Sequence, residues 1–171
     1  WACGMWTSPN HGAGEAPTVM IVQGVYGAAR DWGVIPKRLA EDRRVGTGDM
    51  QNHGNSPHLP PHSYADMAQD LAEVIGEIGQ PIDIVGHSMG GKAAMVLALA
   101  QPELLRKIVV ADIAPVAYAH SQIQFVEAMQ GLDPESVSTR GGADTALTPT
   151  VDDPSIRAFL LHSLALKSDS K

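Results

Sequence analysis

The sequence holds a single cysteine, Cys3, so no internal disulfide can form, and a reducing, cytoplasmic setting is expected. Basic residues are scarce: 12 Lys and Arg stand against 19 Asp and Glu, the formal net charge is −7, and the cations gather nowhere. Neutralising a nucleic-acid backbone takes several concentrated cations, which argues against such a partner. Long apolar runs are also missing. The longest, residues 93–100, is far short of the roughly 20 residues that cross a bilayer. The opening Trp-Ala-Cys-Gly-Met-Trp-Thr has neither the basic start nor the apolar stretch of a secretory signal. A soluble protein without membrane attachment is expected.

What is present is ordinary for a globular protein, with 44% hydrophobic and 18% charged residues. A chain of 171 residues can bury roughly 70% of the surface its unfolded form exposes. Short β-branched runs alternate with longer helical periods. Residues 18–23 read as a buried strand, followed by a glycine-bearing loop at 24–29 and a helix at about 31–41. A weaker strand at 45–49 contains Gly46 and Gly48, and a Pro-, Gly- and His-rich loop fills 50–62. Ser63 with Asp66 has the spacing of a capping box, and Met67, Leu71, Val74, Ile75 and Ile78 make one helical face. Strands at 81–86 and 107–112 flank an apolar helix at 90–101. This alternation predicts an α/β fold with a mostly parallel sheet and helices on both faces. Beyond Pro115 the strands stop. Helices at about 121–130 and 154–167 enclose an irregular stretch at 131–153, so the predicted organisation is a core at 1–118 and a helical excursion with a polar tail at 119–171.

Gly86-His87-Ser88-Met89-Gly90 matches G-x-S-x-G and lies between a predicted strand and a predicted helix, the context of a nucleophile elbow. A sharp turn there exposes the serine hydroxyl at the carboxyl end of the sheet, and small neighbours are needed on both sides. The Met89 N–H, at the helix N-terminus, is placed to receive developing negative charge. The same residues, continued through Gly91 and Lys92, also fit the G-x-x-x-x-G-K of a phosphate-cradling loop. That loop requires Ser or Thr after the lysine to hold Mg²⁺, and Ala93 has no hydroxyl, so the elbow is the better reading.

Asp112 ends the strand after the elbow helix, 24 residues beyond Ser88. Successive parallel strands end on one rim, so Asp112 can serve as the acid of a triad, or simply cap the turn Ile113-Ala114-Pro115. Val25 follows Gly24 and can supply a second oxyanion N–H, or belong to a plain tight turn. His53, His58 and His62 sit in one loop without cysteines or a carboxylate pattern, which suits solvent-facing residues better than metal ligands. His87 is expected to pack beside the elbow with its ring turned away from Ser88. His120 is the strongest challenger as a base, since it starts the segment beyond Asp112. Neither a cofactor nor a metal is called for by any motif.

Three stretches together resemble a known group: Asp49-Met-Gln-Asn-His-Gly-Asn-Ser-Pro-His58, Gly86-His-Ser-Met-Gly-Gly-Lys-Ala-Ala-Met95 and Val110-Ala-Asp-Ile-Ala-Pro-Val-Ala-Tyr118. They are similar to α/β-hydrolase-fold serine esterases, in the subfamily of small bacterial carboxylesterases and abhydrolase-domain-containing protein 11. The resemblance implies cofactor-free hydrolysis of short- or medium-chain carboxylic esters, small-molecule substrates, Ser88 as nucleophile, Asp112 as acid, and oxyanion donors at Val25 and Met89. The chain departs from the subfamily at Gln23, where His precedes the glycine, and at Gln51, where Arg is usual. The resemblance further implies that the fold continues past Lys171, with the catalytic histidine following a later strand. The alternative reading is an inactive hydrolase fragment or binding module without its base.

Overall fold

Residues 18–22 carry no charged side chain, the pattern of a strand covered on both faces. In the computed structural model they belong to a sheet made of β1 (Trp6–His11), β2 (Ala16–Val22), β3 (Arg43–Gly48), β4 (Ile82–His87) and β5 (Leu105–Ala111). The strand order is β1-β3-β2-β4-β5, with β2 to β5 parallel and β1 antiparallel to β3. The structure describes residues 6–11, 16–119, 121–133 and 137–164. They fall into two units, Trp1–Val116 and Ala117–Lys171.

Alternation along β2 sends its side chains into two cores. Met20 and Val22, with Ile82 and Ile84 of β4, pack under α2 (Tyr64–Ile78) and α3 (Met89–Ala100). Leu71, Ile75, Ala93 and Leu97 of those helices are at most 1% exposed, and burying a Leu or Ile contributes roughly 2 kcal/mol. Val19, Ile21 and Val45 face the other way, against Trp32, Leu39 and Ala40. The capping box at the start of α2 is formed: the Asp66 N–H donates to Ser63 Oγ at 3.2 Å, and the Ser63 N–H donates to Asp66 Oδ2 at 2.9 Å. Gly79, at φ 77°, ends that helix.

Two local expectations are revised. The helix predicted at 31–41 is a 3₁₀ turn, Ala29–Trp32, followed by a five-residue α1 (Ile35–Leu39). Gly33 at φ 55° breaks the helix between them, and Pro36 sits at the start of the second piece, where its missing N–H costs nothing. Strand β1 was not foreseen in the sequence, because Pro9 and Asn10 interrupt any strand-like pattern; an edge position tolerates both.

The second unit contains α4 (Ile123–Gln130), α5 (Arg140–Leu147) and α6 (Pro154–Leu161). Helix α5 lies inside the stretch expected to be irregular, where Gly141 and Gly142 depress helix propensity. Tertiary contacts override that preference. Thr139 Oγ1 accepts the Gly142 N–H at 3.0 Å, and Ala143 and Leu147 are buried. Arg157 of α6, itself buried, donates from Nε to Asp144 Oδ1 at 2.8 Å and from Nη1 to the carbonyls of Val151 and Asp152. Residues 165–167 of the last predicted helix lie outside the described residues.

One carboxylate of α2 is poorly accommodated. Asp70 is buried among the helix's apolar positions, and its Oδ2 has no hydrogen-bond partner among the described residues. Burial, reinforced by the charges of Glu73 and Asp66, raises its pKa to about 6. The protonated form is therefore favoured by folding: this group's stabilising share is complete below about pH 4 and is lost as pH rises through about 6. Asp70→Ala should remove that component. Urea unfolding should show a parent that loses about 1 kcal/mol between about pH 4 and 7, a figure kept small by residual solvent screening, and a variant with a flatter profile. Equal slopes for the two proteins would contradict the assignment.

Candidate active site

Register places the candidate residues side by side. His87, the last residue of β4, pairs with Ala111, the last residue of β5, so Ser88 and Asp112 are the next residues on adjacent strands. On the other side Val22 pairs with both Gly86 and Gly48, which brings Gln23 and Asp49 level with His87. Neighbouring parallel strands lie about 4.8 Å apart, so these residues share one rim at the carboxyl edge of the sheet. The Ser88 N–H donates to the Ala111 carbonyl at 2.9 Å, tying the two strand ends together.

Ser88 and Asp112 both have left-handed backbones, at φ 49° and φ 56°. A non-glycine residue holds this conformation only where its surroundings enforce it. At Ser88 they do. A Cβ on Gly86 would lie 2.6 Å from the Gly90 carbonyl oxygen, one on Gly90 would lie 2.6 Å from the Gln23 carbonyl oxygen, and the Gly90 N–H donates to that same oxygen at 3.1 Å. Strand β4, helix α3 and the end of β2 therefore meet at backbone contact, and only glycine fits. Ser88 occupies the N-cap of α3 without a side-chain capping bond, so its hydroxyl is not consumed by the helix.

The predicted oxyanion donors flank this turn. Met89 is the first residue of α3, and Val25 lies in the turn after β2. No backbone turn or cap bond among the described residues engages either N–H. A Cβ on Gly24 would sit 2.9 Å from His87 Nδ1 and 3.0 Å from Ser88 Cβ, which explains the glycine that begins this turn. Tyr26 within it is also left-handed, at φ 63°, and burial raises its phenol pKa.

His87 lies beside the elbow, with its Nε2 3.6 Å from Asp112 Oδ2 and the Trp32 ring edge-on at 6.2 Å. When protonated, His87 can pair with the Asp112 carboxylate. The Asp112 side chain is 85% exposed, which leaves the carboxylate accessible to another partner.

The loop histidines are held locally. His53 Nδ1 lies 3.0 Å from the Gln51 carbonyl, and the rings of His53 and His62 are 6.0 Å apart. Burial, with His53 as a second cause, lowers the pKa of His62. No group of three or more metal-ligating side chains gathers among the described residues. His120 and Cys3 lie outside them. Gln51 is buried and donates from Nε2 to the carbonyls of Leu59 and Pro61 at 2.8 and 2.9 Å, so a neutral amide fastens this loop in place of the expected arginine.

The profile of the alpha/beta hydrolase fold matches residues 17–166. The chain belongs to the α/β-hydrolase family. It is 40% identical over 162 residues to the sn-1-specific diacylglycerol lipase ABHD11 of Mus musculus, covering 90% of this chain and 53% of that protein. It is 34% identical over 151 residues to the esterase YbfF of Escherichia coli, covering 85% of this chain and 58% of that protein. Among solved structures, a marine microorganism esterase superposes with a TM-score of 0.83 at 36% identity, over 91% of this chain and 63% of the other. The chain spans about half the length of the curated relatives it matches. In this α/β hydrolase no helix among the described residues is long and apolar enough to cross a membrane.

Proposed function

We propose that this α/β hydrolase is a serine carboxylesterase acting on small-molecule esters with short or medium acyl chains. The observation that carries the reading is the left-handed Ser88 turn, with an uncapped hydroxyl one strand from Asp112. Ser88 Oγ attacks the ester carbonyl while its proton passes to a histidine oriented by Asp112. The N–H groups of Val25 and Met89 hold the oxyanion. The alcohol departs with the proton, and water then attacks the acyl-enzyme, releasing the carboxylic acid and restoring Ser88. No step requires a cofactor. The names of the relatives, an esterase and a diacylglycerol lipase, support ester bonds as the target class. The scarcity of cysteine supports a cytoplasmic site of action.

The test is fluorophosphonate labelling of the full-length protein alongside hydrolysis of a p-nitrophenyl ester series and of a diacylglycerol. Labelling should map to Ser88, and Ser88→Ala should lower kcat by about 10⁴-fold or more. Preference for the diacylglycerol over the short esters would replace the proposed substrate class. Undiminished hydrolysis by Ser88→Ala would end the proposal, and absence of labelling in the parent would favour an inactive binding module.

A further inference from the structure

The turn that presents Val25 is strained and needs an external hold. The Gly27 N–H donates to the Gly24 carbonyl at 3.2 Å, closing a four-residue turn whose third residue is Tyr26 at φ 63°. That position normally takes glycine or asparagine, and a tyrosine stays there only if neighbouring structure fixes the chain on both sides.

Two buried polar side chains do so, from opposite directions. Gln23, 3% exposed, enters the turn from β2 and reaches toward the end of β3. In the amide orientation that satisfies its neighbours, Nε2 donates to the Gly48 carbonyl at 2.5 Å and Oε1 accepts the Met50 N–H at 2.8 Å. Asp49, also 3% exposed, leaves the end of β3 and reaches back. Its Oδ1 accepts the Ala29 N–H at 2.7 Å, beyond the turn, while Oδ2 accepts the Asn55 N–H at 3.0 Å. The Ser56 hydroxyl donates to the Asp49 carbonyl at 2.6 Å. Gly54, at φ 53°, makes room for the carboxylate, since a Cβ there would lie 2.1 Å from Asp49 Cγ. The near end of the turn is thus fastened by Gln23 and the far end by Asp49, both to the end of β3 and the loop that follows it.

We propose that Gln23 and Asp49 form a reciprocal clamp that positions the turn at residues 24–29, and with it the Val25 N–H, for oxyanion stabilisation. The assignment of Val25 rests on the esterase reading above; the clamp itself rests on the hydrogen bonds. Both are positioning residues, because neither need touch substrate. Oxyanion contacts form in the transition state, so loosening the turn acts on kcat and leaves KM largely alone.

The test uses Asp49→Asn and Gln23→Leu in the full-length protein. Asparagine offers one oxygen, so it can accept from the Ala29 or the Asn55 N–H but not from both. Leucine keeps approximate volume and removes both Gln23 bonds. Amide hydrogen exchange is read at residues 24–29 and in β4 and α3, with kcat, KM for p-nitrophenyl acetate, and Ki for a trifluoromethyl ketone, which adds reversibly to a serine as an oxyanion. Exchange in the turn should rise about tenfold or more with β4 and α3 unchanged, kcat should fall about tenfold to a hundredfold, KM should stay within about threefold, and Ki should rise in step with the loss of kcat/KM. Unaltered exchange in the turn would overturn the clamp, as would loosening that spreads equally through β4 and α3. A loosened turn with unchanged kcat and Ki would overturn its positioning role. If the parent hydrolyses no ester and takes no fluorophosphonate, the functional reading fails, while exchange still decides the clamp.

Discussion

Alanine at position 90 is expected to disrupt the junction on which the site is built, at a cost of about 3 kcal/mol or more. The added methyl would stand 2.6 Å from the Gln23 carbonyl oxygen and 2.8 Å from that of Val22. Both are backbone atoms fastened in or beside the central strand, so neither can yield as the tip of a flexible side chain would. Gly86→Ala meets the same obstacle, 2.6 Å from the Gly90 oxygen and 2.7 Å from the Gly91 nitrogen. Gly76→Ala supplies the contrast. It lies within α2 with nothing inside 4 Å of the added carbon, and should stabilise by about 0.5–1 kcal/mol through the gain in helix propensity. Urea unfolding of the three variants tests the argument. A Gly90→Ala protein as stable as its parent would refute the packing account, and with it the reason for glycine in the elbow.

Asp112→Asn is expected to lower kcat by about 10⁴-fold with stability nearly unchanged, provided the esterase mechanism holds. Asparagine tolerates a positive φ, so the backbone at φ 56° should be kept, and the side chain is 85% exposed, so little packing is lost. What changes is the charge. A neutral amide neither stabilises an imidazolium nor fixes the tautomer that accepts the serine proton. Steady-state kinetics and thermal unfolding on the same preparations separate the two readings of this residue. Activity above about a tenth of the parent's, together with a lowered Tm, would return Asp112 to the role of a strand-ending cap.

Much of this site was readable from the chain because its determinants are local. The elbow needs a strand, one serine among small residues and a helix start, all within residues 82–100, and the structure places Ser88 between β4 and α3. The α2 cap is equally local, since Ser63 and Asp66 satisfy one another within a single turn. Where the pattern misled, a longer-range effect intervened. Gly141 and Gly142 argue against helix α5, yet Arg157, 13 positions beyond Asp144, holds it by an ion pair while donating to the Val151 and Asp152 carbonyls of the segment that follows. Pro9 argues against β1, yet pairing with β3 forms it at an edge where a missing donor is tolerated.

The sequence by itself determined the family, the parallel α/β alternation and the serine that occupies the turn between β4 and α3, because periodicity and turn chemistry are properties of neighbouring residues. Only the tertiary structure decided what stands beside that serine. Strand register is set by contacts between segments far apart in the chain, and it is register that levels Asp49, Gln23 and His87 across three strands and makes Asp112 the neighbour of Ser88. No spacing in the sequence indicates that His87 should reach Asp112, that Gln23 should bond the backbone of Gly48 and Met50, or that Asp49 should bond the Ala29 N–H, since each contact depends on two strands being aligned to within one residue.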